Sequence, residues 1–225
     1  MDRPDFYGRE AAETFRQIAL INRLTTAYRP TLRAIDYFWT TRHRGKESPL
    51  RLLDIGSGYG DFLRVIRHWA DKRGIAVQLT GIDLNPWAIQ AARQADRGER
   101  IRYKLQDVFD LHPKKRFHVM INSLVTHHLN DWEIVRLLRW MTDQSVYGWF
   151  INDLHRHRFA YDAIRHATRW LGFNRYVQND APQSVARSFT RNDWERLLHQ
   201  AKIDRGKIRI TWFWPFRYGV LYHAA

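Results

Sequence analysis

Leu52-Leu53-Asp54-Ile55-Gly56-Ser57-Gly58-Tyr59-Gly60-Asp61-Phe62 is an apolar run that ends in a glycine-rich turn and passes at once into a helical pattern. From Leu50 to Ile55 the run has the length and side chains of a buried strand. Helical spacing follows from Asp61 to Lys72. Glycines at 56, 58 and 60 let bare backbone approach a ligand at the strand's C-terminal edge, because glycine lacks a Cβ and accepts positive φ. A dinucleotide-binding turn would place its third glycine at the position of Asp61 and would hold a pyrophosphate. Asp54 inside the turn and Asp61 at the helix start are poor neighbours for phosphate. They suit a cationic sulfonium and an amino-acid ammonium.

Strand and helix patterns alternate outward from this stretch. A strand is expected near Val77 to Asp83, a helix from Pro86, a strand from Ile101 to Gln106 and a fourth strand from Phe117 to Asn122. A helix from Asp131 to Met141 and a fifth strand from Ser145 to Asn152 come next. This alternation is the mark of βαβ units and a mostly parallel sheet covered on both faces. Upstream, Phe6 to Arg44 reads as two helices interrupted at Pro30. Downstream, Leu154 to Ser188 holds one predicted helix, Phe159 to Trp170, and a polar loop, a length that marks a functional cover. A helix from Arg191 to Ala201, capped by Thr190 or Asn192, precedes two strands, Ile208 to Phe213 and Phe216 to Tyr222, around Pro215. One domain is expected: a helical cover (1–45), a cofactor-binding core (50–153), a second helical cover (154–189) and a C-terminal helix with hairpin (190–225).

Two further acids stand at strand ends. Asp83 closes the second strand in Thr80-Gly81-Ile82-Asp83-Leu84-Asn85-Pro86, where a carboxylate accepts both hydroxyls of a ribose. Asp107 closes the third in Leu105-Gln106-Asp107-Val108-Phe109, where it would accept an adenine amino group while Val108 or Phe109 packs on the ring. Either acid alone is equally a helix cap.

With the glycine turn and both acids in order, the sequence resembles the class I S-adenosylmethionine-dependent methyltransferases from about Leu50 onward. The resemblance implies strand order 3-2-1-4-5-7-6 with the last strand antiparallel, and S-adenosyl-L-methionine as methyl donor. It implies Gly56, Gly58 and Gly60 against the methionine end, Asp83 on the ribose and Asp107 near the adenine, and Asp54, Ser57, Leu84, Val108 and Asn122 complete the expected cofactor-binding residues. Asn152-Asp153-Leu154-His155-Arg156, with Asn22-Arg23, also looks like a subgroup found beside polyketide and quinone-like pathways of secondary metabolism.

Methyl transfer from a sulfonium is an in-line displacement, and a hydroxyl acceptor must lose a proton. In this architecture the segments after strands four and five, Asn122 to His128 and Asp153 to His155, face the transferred methyl. His127, His128 and His155 are therefore the candidate bases, with Asp153 available to orient an imidazole. Adjacent histidines rarely face one ion and no third ligand has fitting spacing, so no metal is expected. Phe159, Tyr161, Trp170 and Phe173, with Phe15, Tyr28 and Trp39, are available to wall an apolar acceptor from water, although each serves equally as core. The helix Arg156 to Leu171 sets Arg158, Arg165 and Arg169 against Ala160, Ile164, Ala167 and Leu171, so peripheral contact with anionic lipid stays open.

Composition narrows the function classes. The chain has 225 residues and no cysteine, which removes disulfides, thiolate ligands and a cysteine nucleophile. No run approaches the roughly 20 apolar residues of a membrane span, and Met1-Asp2-Arg3-Pro4-Asp5 lacks a signal-peptide core, so a cytoplasmic protein is expected. Lys plus Arg number 37 against 23 Asp plus Glu, for a net charge of +14, which draws anionic partners. That charge favours an RNA methyltransferase as the alternative to a small-molecule O-methyltransferase. Asn122-Ser123-Leu124-Val125 departs from the Asn/Asp-Pro-Pro-aromatic element of amino-methylating nucleic-acid enzymes, and no nucleic-acid module is visible. C-methylation of an activated phenolic ring and a non-catalytic cofactor-binding scaffold complete the alternatives.

Overall fold

The computed structural model describes residues 8–98 and 100–224. Its centre is a seven-stranded sheet in the order β3-β2-β1-β4-β5-β7-β6. The strands are β1 (Leu50–Ile55), β2 (Val77–Asp83), β3 (Ile101–Leu105), β4 (Phe117–Ser123), β5 (Ser145–Leu154), β6 (Ile208–Phe213) and β7 (Arg217–His223). Pairings from β3 across to β5 are parallel, whereas β7 runs antiparallel to both β5 and β6. The expected class I order and antiparallel last strand are both present.

Side-chain alternation explains why the central strands β1, β4 and β5 are largely apolar on both faces, whereas the edge strands β3 and β6 carry exposed Arg102, Lys104 and Arg209. Leu50, Leu52, Val119 and Ile121 pack on one face with Ile35, Phe38, Leu63 and Ile66 of the helices α2 (Tyr28–Phe38) and α3 (Asp61–Lys72). Leu53, Ile55 and Met120 face the other way, against Leu137, Leu138, Trp194 and Leu197 of α5 (Asp131–Gln144) and α8 (Arg191–Gln200). Strands buried on both faces show continuous hydrophobic runs rather than alternation with polar residues. The helix starts are set by side chains. Asn85 accepts from Trp87 and Ala88 N–H ahead of α4 (Pro86–Ala95), Asn130 and Glu133 form a capping box on α5, and Thr190 and Asp193 form one on α8.

Two boundaries differ from the sequence expectation. The first two helices, α1 (Gly8–Leu24) and α2, part at Thr25–Ala27, where Thr26 has φ 52°, and not at Pro30. Pro30 falls in the first turn of α2, where its missing N–H has no intrahelical role. The Phe6 end of the expected first helix lies outside the described residues. The second difference is in the cover, which holds two helices, α6 (Arg158–Trp170) and α7 (Arg175–Arg187). Asn174 caps α7 through Val177 N–H, and Pro182 is carried inside that helix. The Asn, Pro and polar residues that read as a loop are thus a cap and a tolerated interruption.

Among the described residues, no helix is long and apolar enough to cross a membrane. Backbone closeness between β5 and β7 makes one glycine indispensable. Gly148 has φ +140°, and a Cβ there would lie 2.0 Å from the Tyr222 carbonyl oxygen. Gly148→Ala is expected to destabilise the protein by about 2–4 kcal/mol. Urea denaturation checks this, and an unchanged midpoint would contradict the packing.

Candidate active site

Two cavities open above the C-terminal ends of β1, β4 and β5, where parallel α/β sheets bind ligands. The larger, of about 800 Å³, is lined by the glycine turn, the tips of β2 and β3 and the start of α5. The smaller, of about 430 Å³, lies between α1, the β4–α5 segment, α6, α7 and the β6–β7 turn. Both share Ile18, Asn22, Leu124 and His128 as wall residues, so the two spaces meet there.

The three glycines of the turn face different neighbours. A Cβ on Gly58 (φ +51°) would meet nothing within 4 Å, whereas one on Gly56 would strike Val125 and one on Gly60 the ring of Tyr103. Gly58 therefore presents bare backbone to the cavity, and Gly60 turns away from it, at the start of α3. The Asp83 carboxylate accepts the Gly58 N–H at 2.8 Å and the Asn85 N–H at 2.8 Å, which ties the turn to the cap of α4. Asp107 accepts from Phe109 N–H at 2.9 Å, and the Arg136 guanidinium lies 3.8 Å over the Phe109 ring.

Asp54, Gly56, Ser57, Gly58, Asp83, Leu84, Asp107 and Val108 all line this cavity. Gly60 and Asn122 do not. Asn122 is fully buried below the floor, with its side-chain amide donating to the Ile55 carbonyl at 3.0 Å. The N-terminal cover is anchored here as well, because Asn22 Nδ2 and the Tyr28 hydroxyl both donate to Asp61 Oδ2, at 3.1 and 2.8 Å. Burial and that carboxylate push the Tyr28 hydroxyl well above its ordinary pKa.

Chemistry-bearing groups of the smaller cavity converge on Asp153. This residue is wholly buried and accepts from the Thr126 hydroxyl, from His127 N–H at 3.2 Å, from His127 Nδ1 at 2.7 Å and from Leu154 N–H at 2.7 Å. Burial alone would raise its pKa, but the His127 ring and these donors hold the carboxyl below the usual range. The carboxylate selects the tautomer with the proton on His127 Nδ1, which leaves the Nε2 lone pair available. His127 lines the smaller cavity, and His128, 4.2 Å from it between ring centroids, lines both.

His155 is not brought to this place. It lines neither cavity, its Nδ1 accepts from the Trp212 indole at 3.2 Å, and its ring meets the edge of Tyr218. Burial, with His157 beside it, lowers its pKa. Leu154 still lines the smaller cavity, whereas His155 N–H donates to the Phe216 carbonyl at 2.8 Å, which ties His155 to the turn before β7.

Of the expected aromatic walls, Phe159 lines the smaller cavity and Phe15 the larger. Trp39 and Phe173 are packed into the body of the protein, and Trp170 stands 87% exposed. Ala160, Ile164 and Ala167 line the smaller cavity, so most of the apolar stripe of α6 faces the cavity and not outward. The sequence reading missed Arg217, Thr25 and Trp214 on the same wall, whereas Leu124 belongs to the segment it expected there. Arg217 opens a strand in an arginine-rich chain, and nothing in its local pattern distinguishes it from a solvated arginine.

Residues 23–202 match the family described as methyltransferase domain. The chain belongs to that family. It is an S-adenosylmethionine-dependent methyltransferase of class I architecture. No curated protein sequence matches it. Among solved structures, the plantazolicin methyltransferase BpumL in complex with SAH is 18% identical, with 95% of this chain and 94% of that one covered and a TM-score of 0.65. Magnesium protoporphyrin IX methyltransferase from Synechocystis PCC 6803 is 12% identical over 98% and 97% of the chains, with TM-score 0.63. Human N-acetylserotonin methyltransferase is 15% identical over 96% of this chain and 56% of that chain, with TM-score 0.65. At these identities the likeness is one of fold.

The cavity beside the glycine turn suits the family's cofactor on its own chemistry. Asp54 Oδ1 and Ser57 Oγ are buried beside it without a hydrogen-bond partner, and an acid-rich wall matches a cationic ligand. Desolvation, then Asp61 and Asp83, raise the Asp54 pKa well above its ordinary value. The folded methyltransferase thus retains a proton that the unfolded chain releases. Stability conferred by this proton is present below the ordinary carboxylate value and is lost as pH rises toward the raised one. Asp54→Asn mimics the protonated acid, so the ligand-free variant should match or exceed the wild-type Tm at pH 8, with the difference vanishing near pH 4. Thermal melts across pH test this, and a variant less stable at pH 8 would refute it.

Proposed function

We propose that this methyltransferase methylates a hydroxyl oxygen of a small aromatic, polyketide-like or quinone-like acceptor held in the smaller cavity. The observation that carries this reading is the His127–Asp153 pair on the wall of a mostly apolar cavity that meets the glycine-turn cavity at Leu124 and His128. When bound, S-adenosyl-L-methionine supplies an electrophilic methyl on positively charged sulfur. Asp54, Ser57 and Gly58 are assigned to its methionine end, Asp83 with Leu84 to its ribose, and Asp107, Val108 and Phe109 to its adenine.

His127 takes the acceptor proton at Nε2, and the Asp153 carboxylate holds the ring in the needed tautomer and stabilises the imidazolium that results. Leu124, Phe159, Ile164 and Phe216 exclude water around the acceptor. A polynucleotide would answer the +14 charge, but the apolar lining of this cavity supplies little for phosphate or base edges.

Mass spectrometry of phenolic and polyketide acceptors incubated with isotopically labelled cofactor tests the assignment, and no labelled oxygen-linked methyl in any of them would count against it. Asp83→Asn is expected to raise the Kd for SAH by about tenfold or more. His127→Gln should leave that Kd unchanged while lowering kcat by about 10²- to 10⁴-fold. Calorimetry and turnover assays separate the two effects, and a His127→Gln enzyme with full turnover would remove His127 as the base.

A further inference from the structure

Arg217, the first residue of β7, pairs with Leu154 of β5 and Phe213 of β6 and is only 3% exposed. Arginine is almost never fully buried without a partner, because an unpaired cation loses its hydration without replacement. Here one nitrogen, Nη2, donates to Thr25 Oγ1 at 3.1 Å, while Nε and Nη1 are buried with no partner. Burial lowers the guanidinium pKa to about 10, and Asp153 and Tyr28 favour the charged form, so it is a cation at neutral pH.

Asp153 does not accept the free N–H groups. Its two oxygens already take Thr126 Oγ1, His127 N, His127 Nδ1 and Leu154 N, which uses the roughly four lone-pair directions a carboxylate offers. The carboxylate thus balances the arginine's charge from nearby and leaves the donors over. Arg217 lines the smaller cavity, whose wall is otherwise built largely of groups such as Ile18, Leu124, Phe159, Ile164 and Phe216. A buried cation on the wall of an apolar cavity, with two unpaired donors sealed just behind that wall, is a site for an anionic oxygen once a small side-chain shift opens them to it. The half-buried Asp180, the cavity's one carboxylate among the described residues, is on α7.

We propose that Arg217 reads a carboxylate on the acceptor, so that the natural substrates are small amphipathic acids: an apolar aromatic or acyl body that carries a carboxylate besides the hydroxyl to be methylated. This inference rests on the smaller cavity being the acceptor site. The body fills the space under α6, and the carboxylate anchors at β7. The anchor fixes which hydroxyl reaches the junction of the two cavities. In this arrangement Arg217 is a specificity-determining residue and His127 remains the base.

The test uses a matched pair of probes, a pentylsalicylate and the pentylphenol that lacks only the carboxylate, titrated calorimetrically into the full chain saturated with SAH. The wild type is expected to bind the acid about 10- to 100-fold more tightly than the phenol. Arg217→Gln should erase that preference by weakening the acid alone, and Arg217→Lys should keep part of it. Both variants should bind SAH as the wild type does. A wild type without preference for the acid, or one that binds neither probe, overturns the proposal, and so does an Arg217→Gln variant that weakens both probes equally. The wild-type comparison stands by itself if Arg217→Gln does not fold. Failure of the wild type to bind SAH would instead overturn the methyltransferase reading.

Discussion

At the tip of β5, the Asp153 carboxylate is removed from water and gathers donors from Thr126, His127 and Leu154. An ionised carboxylate out of water is costly unless hydrogen bonds replace its hydration, so these donors hold Asp153 and are held by it. The turn after β4 is thereby fixed against the end of β5. The His127 ring is fixed with it, and the cation of Arg217 is retained nearby on β7. Remove the carboxylate and three strand ends lose a common point of reference.

The two cavities on either side of this point differ in the way their ligands require. Around the glycine turn the wall carries Asp54, Asp61, Asp83 and Asp107, and burial first, then repulsion from Asp61 and Asp83, raises the Asp54 pKa. A cationic ligand relieves that repulsion. Beyond Leu124 and His128 the wall turns apolar, with Arg217 buried in it near Asp153. Covering helices complete both spaces. Asn22 and Tyr28 tie the N-terminal pair to Asp61, and α6 turns Ala160, Ile164 and Ala167 toward the cavity.

Much of this was legible in the residue order because local physics dictates it. The apolar runs at 50–55, 77–83 and 117–122 have no alternative burial in a chain of this size, and the caps Asn85, Asn130 and Thr190 start helices by side-chain bonds to nearby N–H groups. The glycine turn and the acids at 83 and 107 stand at strand ends, where short-range pattern also sets position. The misread pieces have equally local explanations. Pro30 marks a helix start, and Pro182 sits inside a helix that a propensity argument alone rejects.

What the sequence by itself determined is the sheet, its order through family resemblance, and the cavity beside the glycine turn, since strands, caps and turns depend on neighbours a few residues away. Only the tertiary structure set the three histidines in different places and buried Arg217. His127 meets Asp153 across 26 positions of chain, Arg217 meets Thr25 across 192, and His155, adjacent to the same motif, is carried off by Trp212 and Tyr218. Burial and orphaned donors depend on what the fold brings from far along the chain, and no spacing within one segment encodes that.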